Sequence, residues 1–314
     1  QILAKNPAFV ERYYSNGIYP TISSFFRIIF GWIPFSVGDI LLAFGVFIFF
    51  RFLFRLIKTR FRNFIPKIIH LVAILSIIYF CFYLFWGFNY YREPLAKNLH
   101  YQQQKYSTEQ LTKVTKHIIE QLNFYQQKIT QNDTIKVENI YQPKEMYSIA
   151  LVGYENLAND IPQLKYQHTS VKSSLMSLLQ TYNGTSGYLN PLTGEAQVND
   201  KIPKTSYPTT TCHEMAHQIG FAANEANFVG FLAANYNDDV YFKYASYRMA
   251  FGYCISEIRK RDTEKSKELW LTVNKGIIKD FNASYSFWQE YKNPFEPLVK
   301  KGYNAYLKAN NQAK

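Results

Sequence analysis

The chain has 314 residues, 47% of them hydrophobic and 18% aromatic, with 14 Gly, 12 Pro and 3 Cys. These counts exclude collagen-like, disulfide-scaffold and wholly disordered chains, and a mean hydropathy of −0.23 argues against a transporter built only of membrane spans. Lys and Arg number 35 against 23 Asp and Glu, a formal charge of +12, which suits an acidic partner or an anionic membrane surface until the charges are placed.

The chain begins at Gln1 without the charged, apolar and small-residue succession of a cleaved leader. A native segment before it is therefore expected, and a span in that segment would put the true N-terminus in the cytoplasm and make three spans. Ser24–Trp32 (SFFRIIFGW) precedes Pro34 and reads as an interfacial helix with its aromatics at headgroup level. Ile40–Ile57 is apolar except for Arg51 and Arg55, whose stems can run along lipid to the interface. Ile68–Phe88 holds 21 residues without an acidic or Lys/Arg side chain, enough helix to cross a hydrocarbon core of about 30 Å.

Arg51, Arg55, Lys58, Arg60, Arg62 and Lys67 lie in and beside the connection, with no acidic residue among them. The positive-inside bias then makes the hairpin loop cytoplasmic and puts everything after Tyr90 outside. Much of the basic charge becomes a topology signal, so the expected partner is the lipid bilayer and not nucleic acid. The expected organisation is an extracytoplasmic leader over 1–39, a transmembrane hairpin over 40–90 and an extracytoplasmic domain over 91–314. Of the cysteines, Cys81 falls within a span; Cys212 and Cys254 are far apart in sequence and are expected to be free buried thiols, although one bridge between them stays open.

After a linker over Tyr91–Tyr106, Ser107 and Gln110 form a capping box for an amphipathic helix Thr108–Lys128. Thr134–Tyr141 (TIKVENIY) alternates like a strand, Lys144–Leu157 looks helical, and Val171–Tyr182 reads as another amphipathic helix. Gly187–Asn190 and Glu195–Asn199 flank the turn Pro191-Leu192-Thr193-Gly194, the pattern of a β-hairpin. From Thr209 onward the pattern is almost entirely helical, so the soluble part is expected to be α+β, mostly helical with a small β-sheet.

His213-Glu214-Met215-Ala216-His217 is an H-E-x-x-H. On a helix, residues i and i+4 share a face, so both imidazoles can bind one zinc, and the intervening glutamate is placed as the general base. Thr209–Thr211 offers the helix an N-cap and Gly220 an exit. A catalytic zinc needs a third protein ligand; Glu225, eight residues past His217, is the candidate, since a turn through Phe221–Ala223 can bring it back to the metal. The competing role for Glu225 is to stabilise a helix N-terminus. His168 is a substitute ligand or donor.

Glu195–Asn199 could serve as an exposed edge strand for an extended peptide. Lys243–Lys260 could turn Tyr244, Tyr247 or Arg248 to the site, with Tyr247 chosen as the donor to a developing oxyanion.

HEMAHQIGFAANEANFVGFLAA, together with SGYLNPLTGEAQVN, NPAFVERYYSNGIYP and IPFSVGDI, resembles an uncharacterised bacterial family of membrane-anchored, zincin-like proteins, a domain of unknown function. The similarity runs from Asn6 to Asn311. It implies a zinc-peptidase-like fold outside the inner membrane, behind a few N-terminal spans. His213, Glu214 and His217 carry over directly, and Glu225 matches a Glu-Ala-Asn element similar to the glutamate-bearing helix of gluzincin peptidases. The family's chains are expected to continue past Lys314.

The leading expectation is a membrane-anchored zinc metallopeptidase acting outside the cytoplasm on a protein or peptide. A non-catalytic anchored binding or scaffold protein is the alternative from another class, and a metal hydrolase of a non-peptide envelope amide is a third. The motif lacks a flanking apolar run of about 20 residues, which argues against an intramembrane protease. Two spans also enclose no midplane transport site.

Overall fold

The computed structural model describes residues 5–101 and 105–310. The fold is mostly helical with one small sheet. Two 22-residue helices, Val37–Lys58 and Phe64–Phe85, are long and apolar enough to cross a membrane, and almost none of their surface is buried within the protein. They start and end within a few residues of the expected spans. Ser36 caps the first by accepting from the Asp39 amide at 2.9 Å.

The helix before them is Tyr19–Gly31, longer than expected and only half interfacial. Ser23 and Arg27 are buried while Phe25, Ile28 and Trp32 are exposed, so one face packs on the protein and the other stays apolar and bare. Within residues 5–39, Tyr14 and Tyr19 share a core with Trp86 and Ala222, and Arg27 lies over the Tyr166 ring at 4.9 Å.

The capping box at Ser107 and Gln110 opens a helix Thr108–Thr130. It packs against the helix Val240–Arg261 around Ile118, Leu122, Phe251 and Ile255. Pro143–Asp160 forms a helix that buries Met146, Ala150, Tyr154 and Leu157 against the H-E-x-x-H helix.

Two expected elements are not formed as read. Residues 134–141 form no strand, because their backbone is taken by side chains and a neighbouring helix: Gln126 and Lys279 bond the carbonyls of Ile135 and Thr134. Val171–Tyr182 is not one helix; Val171–Ser173 is strand β1 and Ser177–Tyr182 a short helix. The apolar spacing that suggested one amphipathic face divides between a strand that pairs with the sheet and a helix whose Leu178 and Leu179 stay exposed.

The hairpin is present as β2 (Gly187–Asn190) and β3 (Glu195–Val198). Strand order is β1-β3-β2, with β3 parallel to β1 and antiparallel to β2. β3 is thus the central strand, fully buried, and cannot be the exposed edge expected of Glu195–Asn199; β2 holds that place. Glu195 is wholly buried and pairs with Lys172 at 2.6 Å, and it also accepts from the Val37 and Gly38 amides and the Thr193 hydroxyl. Lys172 donates further to the Phe30 and Phe35 carbonyls. The pair therefore pins the root of the first apolar helix to the sheet.

Removing one partner of such a pair strands the other charge without water. Glu195→Ala is expected to lower stability by about 3–5 kcal/mol, read as a shift in the denaturation midpoint of the detergent-solubilised protein; an unchanged midpoint would mean the pair holds nothing together.

Candidate metal centre

The H-E-x-x-H lies on the helix Tyr207–Gln218. It starts two residues before the expected Thr209 cap because Pro208 occupies its first turn, where a missing N–H costs nothing. Gly220 provides the exit at φ +89°, a left-handed conformation that favours glycine.

The ligand atoms of His213, Glu214 and His217 all lie within 4.8 Å of one another. The two imidazoles sit edge to face, with centroids 4.6 Å apart. His217 Nδ1 is 2.7 Å from the Phe221 carbonyl; as a donor to it, Nδ1 carries the proton and Nε2 is left with a free lone pair. Burial pushes the His213 pKa down to about 3, helped by the neighbouring His217, and burial lowers that of His217 too. Both rings are therefore neutral, the form that binds metal.

Glu214 is buried and its Oε2 has no hydrogen-bond partner. Burial drives its pKa well above the usual carboxylate range. A divalent cation in the cluster would reverse that direction by holding the carboxylate ionised. Two neutral imidazoles fit such an ion as donors, and the orphaned carboxylate oxygen beside them stands free to bond a water next to it.

Backbone packing brings the edge strand close. A Cβ on Gly187 would fall 2.6 Å from Glu214 Oε1, so only glycine lets β2 approach the carboxylate. The cluster opens on a cavity of about 690 Å³, walled by β2, by Phe82, Trp86 and Tyr90 at the end of the second apolar helix, and by Val299, Tyr303 and Leu307 of the C-terminal helix Glu296–Ala309.

Not every expected residue joins. Glu225 opens the next helix, Ala223–Tyr236, but its carboxylate accepts from the Leu95 amide at 2.6 Å and is not part of the cluster. That helix turns Ala226, Val229 and Ala233 into the core, which rotates Glu225 toward the start of the short helix Leu95–Asn98. Burial raises its pKa, opposed by the Leu95 N–H and by Arg92. Its place is the N-terminal helix role weighed against ligation, exercised on a neighbouring helix.

Tyr247, the expected oxyanion donor, stacks on Tyr125 at 5.7 Å in the other core and does not line the cavity. Tyr244 and Arg248 both bond Asp280, at 2.8 and 2.6 Å; Arg248 reaches the cavity wall with its guanidinium already committed. His168 is exposed on a left-handed turn and lies outside the cluster. Cys212 and Cys254 are free and belong to different cores.

A family described as protein of unknown function (DUF3810) matches residues 14–314. The chain belongs to that family. No curated protein and no solved structure matches it.

What sequence reading missed in this DUF3810 chain is how the end of the motif helix is held. Trp86 Nε1 donates to the His217 carbonyl at 2.8 Å, Tyr19 and Ser23 to the Gln218 carbonyl at 2.9 and 2.7 Å, and Arg92 to the Gly220 carbonyl at 3.1 Å. Arg92 is fixed by Glu11 at 2.7 Å. In the sequence Trp86 falls within the expected span Ile68–Phe88 and Arg92 within the linker after it, with no motif around either.

Trp86→Phe keeps the ring's bulk and removes the donor to His217. Metal affinity is expected to fall about 10-fold or more, measured by competition with a chromophoric chelator. Glu225→Gln is expected to leave metal stoichiometry unchanged while lowering the thermal midpoint, and loss of metal from that variant would restore Glu225 as a ligand.

Proposed function

We propose that this chain is a membrane-anchored, zinc-dependent hydrolase of peptide bonds, zincin-like in its chemistry, with its site outside the cytoplasm. The observation that carries it is Glu214: a buried carboxylate with an orphaned oxygen, between two neutral imidazoles and against an edge strand. The basic loop between the apolar helices supports the orientation, since positive loops stay in the cytoplasm.

His213 and His217 would hold the zinc. When bound, zinc supplies Lewis acidity, polarising the scissile carbonyl and making an attacking water more acidic. Glu214 accepts that water's proton and returns it to the leaving amine. β2 has no strand partner on its outer edge among the described residues, so an extended substrate can pair with it and bring its carbonyl to the cluster. Tyr303 faces the same cavity, and its phenol is held protonated by burial and by nearby Glu214; it takes the oxyanion-donor role that Tyr247 cannot reach.

One observation favours the second reading, an anchored binding or scaffold protein: with Glu225 on Leu95, the cluster is one protein ligand short of the usual catalytic centre. Elemental analysis of the purified full chain separates the two. The wild type is expected to carry about one zinc, His213→Ala and His217→Ala to lose it, and Glu214→Gln to keep it while peptide hydrolysis falls by about 100-fold or more. Zinc-replete wild type without zinc would sink the hydrolase reading.

A further inference from the structure

The cavity wall contains an element that a site loaded from water has no need of. The second apolar helix, at 1.5 Å per residue, needs its whole length to cross a hydrocarbon core of about 30 Å, so Phe85 marks the bilayer boundary. Trp86 is the next residue, and its indole donates to the His217 carbonyl. Phe82, one turn inside the span, lines the cavity itself. The metal cluster thus sits within one or two side chains of the hydrocarbon.

Exposed apolar side chains stand around that boundary, with Lys292, Lys300 and Lys301 exposed between and beside them. Trp32, Leu175, Leu178, Leu179, Phe295 and Leu298 are all exposed, and contacts join the segments that carry them to the roots of the two spans. The Leu175 amide donates to Asp39 in the first turn of the first span at 2.7 Å. Tyr182, at the end of the Leu178–Leu179 helix, packs on Tyr291 at 5.3 Å, and its carbonyl accepts from Asn293 at 2.7 Å. The C-terminal helix then returns to the second span through Tyr306, 6.4 Å from Phe82 and 5.9 Å from Tyr90. An apolar surface of this kind, continuous with spanning helices, belongs against lipid. Val299, Tyr303 and Leu307 of the same helix line the cavity, which sets the cavity beside that surface.

We propose that the cavity is loaded from the membrane side, and that its substrate is a polypeptide anchored in the same leaflet, bound in extended form along β2 as it leaves the bilayer. The inference rests on the hydrolase reading and on both apolar helices crossing the membrane. An extended chain advances about 3.3 Å per residue, so ten residues reach about 33 Å, ample for the one or two side chains between cluster and hydrocarbon, and the scissile bond lies within that reach of the anchor. An acyl chain and a transmembrane helix provide the same chemistry at this point, an apolar tether followed by extended peptide.

The test uses zinc-loaded full chain in phosphatidylethanolamine–phosphatidylglycerol vesicles. One mixed-sequence peptide is presented in three arms: free, dipalmitoylated at its N-terminus, and fused after a transmembrane helix. Mass spectrometry reads the cut positions. Cuts are expected within about ten residues of the anchor, with the free arm at least tenfold slower; cutting of one anchored arm only identifies the source of the tether. Shared residence in a vesicle raises rates but imposes no such ruler, so cuts spread evenly along the peptide, or equal cutting of the free arm, would overturn the inference and leave the hydrolase intact.

A second readout needs no turnover: benzophenone placed along the anchored peptide should crosslink to Glu214→Gln protein only from the same near-anchor positions. Confined crosslinks without hydrolysis in any arm would support membrane loading while refuting the hydrolase. Neither hydrolysis nor confined crosslinks would refute both.

Discussion

An α-helix ends with carbonyls that have no amide partner inside it, and in the helix Tyr207–Gln218 those carbonyls adjoin the imidazole of His217. Left bare in a buried place they would cost about 1–3 kcal/mol each. Tyr19, Ser23 and Trp86 satisfy those of His217 and Gln218, Arg92 bonds that of Gly220 just beyond the helix, and all four come from the segments flanking the apolar helices. The positive charge of Arg92 also suits the negative end of the helix dipole. His217 completes the turn by bonding the Phe221 carbonyl, which fixes the ring and leaves its other nitrogen for a metal. The segments flanking the apolar helices and the candidate metal centre are therefore one mechanical unit.

The sheet meets that unit from the other side. Lys172 and Glu195 bind the start of the first apolar helix to β1 and β3, and Asp39 within that helix holds Ser174 and Tyr188. Tyr188 belongs to β2, the strand whose Gly187 lies against Glu214. Each buried charge here is stabilised by several donors or acceptors, the condition under which burial of an ion pair is tolerated. The outcome is a fixed separation between the edge strand and the carboxylate.

Tyrosine shows why chemistry is hard to assign from sequence in this chain. With 26 of them, residue type carries little information, and the outcome depends on where each ring packs. Tyr247 lies on the helix Val240–Arg261, whose faces divide between two cores; it went to the one holding Tyr125. Tyr303 lies near the end of the chain with no motif around it, and reaches the cavity only because the C-terminal helix folds back to Tyr90 and Phe82.

The sequence by itself determined what depends on local pattern: two long apolar helices with a basic connection, the capping box at Ser107, the hairpin over Gly187–Asn190 and Glu195–Val198, and a helix carrying His213, Glu214 and His217 on adjoining positions. Each is dictated by periodicity or turn chemistry within a few residues. Tertiary structure alone decided that β3 is central and β2 the edge, because strand order depends on a parallel partner, β1, whose three residues read as part of a helix. It decided that Glu225 caps Leu95 and stays out of the cluster, because a rotation of about 100° per residue on a helix separates a ligand from a bystander, and the core-facing Ala226 and Val229 set that rotation. It also decided that the end of the second apolar helix walls the cavity, since the contact between Trp86 and His217 joins positions 131 residues apart, a distance over which no sequence pattern carries.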